Sequence, residues 1–357
     1  MIRTNKKRQY NPSNCSDVSA TPSTQTLYRY LMNCQPNILT GCSEQFKSNN
    51  QKYDITGEIY KITSEYPAFL TWEIYTALTA LSNKNTMLQD CNTHLSNGGI
   101  VGLHDHPGNP VTSTLFDTGY TGAGTGYADR SGNPLAQIKS GGGLNSTYLS
   151  YLDEIADIIS HVNGPVMYRP FHEINGTWFW WNGSDRRADM ILVWQQTVDY
   201  LRNTKGLHNI LFVLNYDANG ELGDVLYGSQ ALSTWWPGTS YVDIISIDYY
   251  PSTTPYSIDT ARFNSAYSEV VALAAQYNKP VGISEYGAQS SIAQTQQSFW
   301  YDNFFIPLKT KFKEIAFFCT WNGDYAPVQN GASSDGFRQI FNNQGTITLN
   351  TIDLEKP

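Results

Sequence analysis

Positive charge is scarce in this chain and nowhere concentrated. Charged residues make up 15% of its 357 positions, and 23 Lys and Arg face 31 Asp and Glu, for a net charge of −8. Nucleic-acid binding rests on clustered cations that neutralise phosphates, so a polyanionic partner is excluded. No apolar run reaches the roughly 18 residues a membrane-spanning helix needs, so no membrane partner is expected either. The cysteines, Cys15, Cys34, Cys42, Cys91 and Cys319, form no CxxC and stand at no spacing that would combine them with histidines, which argues against structural zinc. Their odd number leaves at least one free thiol, and in a secreted chain one or two disulfides are expected among the rest. The opening MIRTNKKRQY lacks the apolar segment of a secretory leader. Either the chain is cytosolic or a leader has been removed from it, and the expectation is the second, a secreted, extracellular protein.

Aromatic rings, by contrast, are plentiful: 24 Tyr, 9 Trp and 15 Phe. Most of them are needed to fill the core of so large a chain. A surface that is aromatic and polar but weakly charged nevertheless suits neutral, hydroxyl-rich ligands, because the apolar face of a sugar ring stacks on indole and phenol.

Residues 1–24 are rich in Asn, Ser, Thr and Pro without periodicity and read as an N-terminal arm; residues 25–357 read as one catalytic domain. In that domain short apolar runs alternate with longer amphipathic segments. The runs lie at 37–41 (NILTG), 68–72 (AFLTW), 99–104 (GIVGLH), 165–169 (PVMYR), 209–214 (NILFVL), 242–247 (VDIISI), 280–284 (PVGIS) and 315–320 (IAFFCT). Segments such as 149–161, 190–203 and 264–277 carry apolar residues at helical spacing. Eight strands each followed by a helix predict an α/β fold, a single-domain (β/α)8 TIM barrel, whose chemistry sits where strands end.

Two of those strand ends carry acids in unusual settings. Residues 168–181 (YRPFHEINGTWFWW) place Glu173 beside His172 and among aromatic rings, and residues 280–289 (PVGISEYGAQ) place Glu285 after the seventh run. Retaining cleavage of a glycosidic bond needs one carboxylic acid to protonate the departing oxygen and one carboxylate to attack the anomeric carbon. Phe171 and Trp178 should disfavour ionisation of Glu173, which makes it the acid/base; Glu285, with Ser284 and Tyr286 as candidate donors, is then the nucleophile. Glu73 and Asp105 end other runs but lack such surroundings. Two acids perform all the proton and charge transfer, so no metal and no organic cofactor is expected.

Other motifs resolve against rival chemistries. A zinc protease would need a second histidine four residues after His172, where Gly176 stands. That glycine should permit a turn, and of Trp180 and Trp181 only one could face a cleft if the segment is extended. The glycine-rich stretch at 109–143 does not open a helix directly after a strand, so it is a surface loop at the barrel mouth rather than a nucleotide fingerprint. Sequons occur at Asn14, Asn145, Asn175 and Asn182, and a glycan on Asn175 would block the cleft, so that residue is expected to be unmodified.

RPFHEINGTWFWW followed by ISEYG resembles the signature pair of glycoside hydrolase family 26, retaining (β/α)8 enzymes dominated by endo-acting β-1,4-mannanases, and the resemblance extends from NILTG near Asn37 to FCTWN near Asn322. It implies Glu173 as acid/base and Glu285 as nucleophile. It further implies that His172 hydrogen-bonds around the nucleophile and the sugar, that Trp178 lines the subsite where the bond is cut, and that Trp321 forms an aromatic floor. Asp248 and Tyr250 match a pair that contacts sugar hydroxyls and the nucleophile. His106, three residues before Asn109 and Pro110, matches the sugar-contacting histidine, with His104 as the alternative. The implied partners are β-mannan polysaccharide and manno-oligosaccharides, cleaved by a monomer. Mixed-linkage β-glucan and β-1,3-xylan are alternative substrates, and a carbohydrate-binding protein without catalysis is the alternative outside enzymes.

Overall fold

Eight short strands run parallel and close on themselves: β1 (Ile38–Glu44), β2 (Phe69–Glu73), β3 (Ile100–His104), β4 (Val166–Arg169), β5 (Ile210–Asp217), β6 (Ile244–Tyr249), β7 (Val281–Tyr286) and β8 (Ile315–Thr320). Each pairs with the next, and β1 hydrogen-bonds to both β8 and β2, so the sheet has no free edge. A two-residue strand, β9 (Thr346–Ile347), adds to the start of β1. This computed structural model describes residues 15–117, 119–220 and 231–356. It is the expected (β/α)8 barrel.

All eight strands are buried along their whole length. A parallel strand covered by helices outside and by the barrel's own filling inside has two apolar faces, which is why each reads as a continuous run. Several continue beyond where apolarity stops: β5 runs to Asp217, β6 to Tyr249 and β7 to Tyr286. Glu73, Asp248 and Glu285, expected just after their strands, therefore lie on them. Outside the barrel stand the helices Asn145–Ser160, Arg187–Asp199 and Ala261–Tyr277, overlapping the three segments with helical spacing. The pattern of a helix after every strand breaks once among the described residues. Among the described residues, the β5–β6 connection holds only the 3-10 turns Leu232–Trp235 and Thr239–Tyr241.

The lower half of the barrel is filled by side chains such as Leu39, Phe69, Met167, Val213 and Phe317, and its base is sealed by Leu27, Tyr28 and Leu31 of the helix Pro22–Asn33. Phe69 and Phe317 meet edge to face at 5.4 Å between centroids. Three glycines make room for these rings. A Cβ on Gly41 or Gly102 would come within 2.9 Å of Phe69, and one on Gly282 within 2.1 Å of Phe317. The helix begins before the expected end of the arm, and the arm's described part is tied to the base: Ser16 donates its N–H and its hydroxyl to Asp243 at 2.6 and 2.8 Å. Residues 1–14, with the sequon at Asn14, lie outside the described residues.

The disulfides expected from the cysteine count are not formed: all five thiols are free and buried. Even the pair on adjacent strands is kept apart. Cys42 of β1 packs in the layer between barrel and helices, while Cys319 of β8 faces the barrel interior, because strand side chains alternate between the two sides of the wall. No described helix is long and apolar enough to cross a membrane.

Replacing Gly282 with Ala should drive a methyl group into the Phe317 ring and lower stability by about 1–3 kcal/mol. Urea unfolding measures this; an unchanged midpoint would show that the ring moves aside freely.

Candidate active site

The barrel mouth is where β4, β5, β6 and β7 bring their last residues together. In β7 an extra residue is inserted relative to both neighbours: Ile283 and Glu285 pair with the consecutive Ile247 and Asp248 of β6, and Ile283 and Tyr286 pair with Phe318 and Thr320 of β8. Such a bulge re-aims a side chain. It lets Glu285 reach into the mouth although Ser284, its predecessor, lines a small void inside the barrel beside Arg169. Neither residue expected to support Glu285 bonds to it. Tyr286 turns outward and stacks on Phe299 and Phe304. The donors are Tyr250, whose hydroxyl gives a 2.6 Å bond to Oε2, and Arg169, which bonds Oε1.

Arg169 links Glu285 to Asp248, donating to Asp248 Oδ2 at 2.7 Å. Asn215 donates to the other Asp248 oxygen at 2.8 Å and to Ser246 Oγ at 2.9 Å. Burial works against the guanidinium charge, but Glu285 and Asp248 outweigh it and hold Arg169 above its ordinary pKa. Asp248 is therefore not the sugar contact expected from its motif. It is fully buried with both oxygens engaged, and its link to Glu285 runs through Arg169.

Glu173 sits in a tight turn after β4 in which Phe171 and Glu173 have φ of 49° and 52°, a region costly for residues with a Cβ. The turn is stitched to the end of β5: Glu173 N–H donates to Asn215 Oδ1 at 2.7 Å, Ile174 N–H to Asn215 O at 3.0 Å, and Asp217 N–H to Asn175 Oδ1 at 2.8 Å. One carboxylate oxygen each from Glu173, Asp248 and Glu285 lie within 4.8 Å of one another. Glu173 is raised well above the usual carboxylate range by burial first, then by Asp217, Glu285 and Asp248. The upward direction is the one expected, with burial as its first cause. Phe171 packs away on Tyr148, Trp180 and Trp181, and Trp178 donates its indole N–H to Glu173 Oε2 at 2.5 Å, which favours the ionised form.

Three histidines line the side opposite Tyr250. His106, bonded through Nδ1 to Glu73, is the partly open one, and its Nε2 lies 3.0 Å from Nε2 of His172. His104 is fully buried beneath Trp321 and bonded to Thr71, which removes it as the alternative sugar contact. His172 bonds to His106 and not to Glu285, and burial, with His106, Arg169 and His104 nearby, holds it well below its ordinary pKa, so it is neutral. Trp178 and Trp321 are both half-open at the mouth. Trp180 and Trp181 are both buried, in a turning rather than an extended segment, and donate to Pro107 O and His172 O. Gly176 is needed for close approach: a Cβ there would sit 2.6 Å from Asn182 Nδ2. The amides of Asn145, Asn175 and Asn182 each donate to a main-chain carbonyl, of Ile138, Asp217 and Glu173.

Sequence reasoning passed over Arg169, Asn215, Asp217 and Tyr127, and did not foresee that Glu73 bonds to His106. A clue to the first three was present: polar residues directly continuing apolar strand runs, in a fold that buries both strand faces. Tyr127, from the glycine-rich loop, packs 4.8 Å from His106, and nothing local in its sequence marks it. The converging carboxylates resemble a cation cradle, yet two of the three are already bound by Arg169, which supplies the positive charge there.

Residues 16–351 match the profile of glycosyl hydrolase family 26. The chain is 27% identical over 335 residues to a mannan endo-1,4-beta-mannosidase of Bacillus subtilis (strain 168), covering 88% of this chain and 84% of that protein. It is 26% identical over 362 residues to mannan endo-1,4-beta-mannosidase A and B of Caldalkalibacillus mannanilyticus, covering 95% of this chain and 63% of that one. A mannan endo-1,4-beta-mannosidase of Bifidobacterium adolescentis is 28% identical over 78% of this chain, which spans only 28% of its length. In architecture it is similar to GH26C from Muricauda sp. MAR_2010_75, with a TM-score of 0.81, 23% identity and 97% of both chains covered. The catalytic domain of the Bacillus sp. JAMB-750 GH26 endo-beta-1,4-mannanase gives 0.78 at 23% identity, over 95% of this chain and 94% of that one. The chain belongs to glycosyl hydrolase family 26.

Proposed function

We propose that this protein is a retaining, endo-acting β-1,4-mannanase that cleaves internal bonds of mannan, glucomannan or galactomannan. The observation that carries the reading is the approach of the Glu173 and Glu285 carboxylates, oxygens within 4.8 Å. Retaining glycosidases hold their two carboxyls about 5–5.5 Å apart, whereas inverting ones need roughly 6.5–9.5 Å to admit a water. Glu285 attacks the anomeric carbon while Tyr250 and Arg169 keep it oriented; the C–O bond to the leaving sugar breaks, and Glu173 gives that oxygen its proton. Water then attacks the anomeric carbon from the face the leaving sugar vacated, the ester bond to Glu285 breaks to release its carboxylate, and the water's proton passes to Glu173. Trp178 and Trp321 are the faces on which sugar rings stack, and His106 and Tyr250 offer polar contacts beside them. The names of the curated relatives support mannan as substrate. A polymer too large to enter a cell puts the site of action outside it, and the enzyme works as a monomer without metal or cofactor.

Proton NMR of the products of manno-oligosaccharide hydrolysis should show the β-anomer first; early appearance of the α-anomer would rule out the covalent route. Product analysis on glucomannan, galactomannan and barley β-glucan tests the substrate, and preferential attack on the last would move the enzyme to the β-glucanases. Glu173→Gln should lower turnover of polymer by about 10²–10⁴-fold while leaving the first step on substrates with good leaving groups nearly intact. Glu285→Ala should abolish formation of a glycosyl-enzyme; near-normal rates in this variant would remove the assigned nucleophile. Trp178→Ala should lower kcat/KM by about tenfold, the roughly 1.4 kcal/mol of an aromatic stacking contact, and an unchanged value would leave Trp178 a packing residue.

A further inference from the structure

We propose that Asp217 is a positioning residue for the acid: it accepts the hydrogen bond of protonated Glu173, so that the two buried carboxyls hold one proton between them until a leaving oxygen takes it. The proposal rests on the reading of Glu173 as acid/base. Asp217 is the last residue of β5, 3% exposed, and its carboxyl lies within hydrogen-bonding reach of that of Glu173. Its position is imposed from both sides. Asn175, two residues beyond Glu173, accepts from the Asp217 N–H and donates to its carbonyl at 2.8 and 3.0 Å, while Asn219 N–H donates to Asp217 Oδ1 at 2.5 Å.

The charge balance makes a shared proton necessary. Among the described residues, four acids meet here, Glu173 after β4, Asp217 on β5, Asp248 on β6 and Glu285 on β7, against the single buried guanidinium of Arg169 on β4, which is engaged by Asp248 and Glu285. His172 beside Glu173 is neutral. Arg262, from the helix Ala261–Tyr277, approaches Asp217 but directs its guanidinium to the carbonyls of Ala218, Asn219 and Gly220. Two touching carboxylates without a cation of their own cannot both ionise cheaply in a dry site. Burial pushes both carboxyls up, Asp217 to about 7, while the Asn219 N–H and the bond to Glu173 favour the ionised form of Asp217, which makes Glu173 the proton's holder and Asp217 its acceptor. When the proton passes to the leaving oxygen, Asp217 faces a second negative charge, and that repulsion makes Glu173 a better base for the water that completes the cycle. The Trp178 indole N–H on Glu173 Oε2 opposes the effect and keeps the acid from becoming too weak to donate.

The test is the pH dependence of kcat/KM of the whole chain on a soluble manno-oligosaccharide, whose alkaline limb reports the acid in the free enzyme. Asp217→Asn removes the neighbouring charge and offers an amide donor to ionised Glu173, so the alkaline limb should fall by on the order of one pH unit with the acid limb unmoved. Asp217→Glu should bring the alkaline limb back. A uniform loss of rate with both limbs in place would make Asp217 merely structural and overturn the proposal. Should the variants fail to fold, carboxyl ¹³C NMR of the unaltered enzyme decides: Glu173 and Asp217 titrating in coupled steps supports the pair, and independent single steps overturn it. Glu173→Gln separates the two readings. If it turns over polymer normally, the assignment of the acid has failed; if it is inactive and Asp217→Asn leaves the limb in place, only the pairing has failed.

Discussion

The ion pairs of Arg169 with Asp248 and Glu285 are the interaction on which the mouth of this barrel depends. Strands β4, β6 and β7 carry charge near their ends at a depth where water does not reach, and each charge would be costly alone. Removing one member of such a buried network typically costs about 3–5 kcal/mol, because its partners are left charged and dry. The guanidinium is planar and offers several donors in fixed directions, so it sets the spacing of the carboxylates it joins. Asn215 completes the arrangement: its amide nitrogen donates to Asp248, and its amide oxygen accepts the main-chain N–H of Glu173.

From that network the division of labour between the two glutamates follows. Glu285 receives a guanidinium and a phenol, both donors. Glu173, on a left-handed turn a few ångströms away, meets carboxyls and one indole. In the proposed reaction the same side chain is a proton donor in one place and an anion in the other, through what faces it across the strands rather than through its neighbours in the chain.

The lower half of the barrel serves this asymmetry by being inert. Phe69 and Phe317, lodged against Gly41, Gly102 and Gly282, fill the interior with carbon and leave polar groups only above them. The helix Pro22–Asn33 and the segment tied to Asp243 close the bottom, so the strands are anchored at one end and free to present their last residues at the other. Parallel strands make this division natural, since all their C-terminal ends lie on one side.

Much of this was legible without coordinates, because the signals are local. Eight apolar runs at barrel spacing, the His172–Glu173 turn with its tryptophans and the acid closing the seventh run are properties of short segments, and a strand buried on both faces cannot be written in other residues. What the chain could not disclose is pairing across strands. That Arg169 joins Asp248 to Glu285, that Asp217 meets Glu173, that a bulge turns Glu285 inward while Tyr286 leaves the barrel, and that Cys42 and Cys319 face opposite sides are all decided by register. Register is a relation between residues dozens to more than a hundred positions apart, settled only when the sheet closes and each buried polar group has to find its partner.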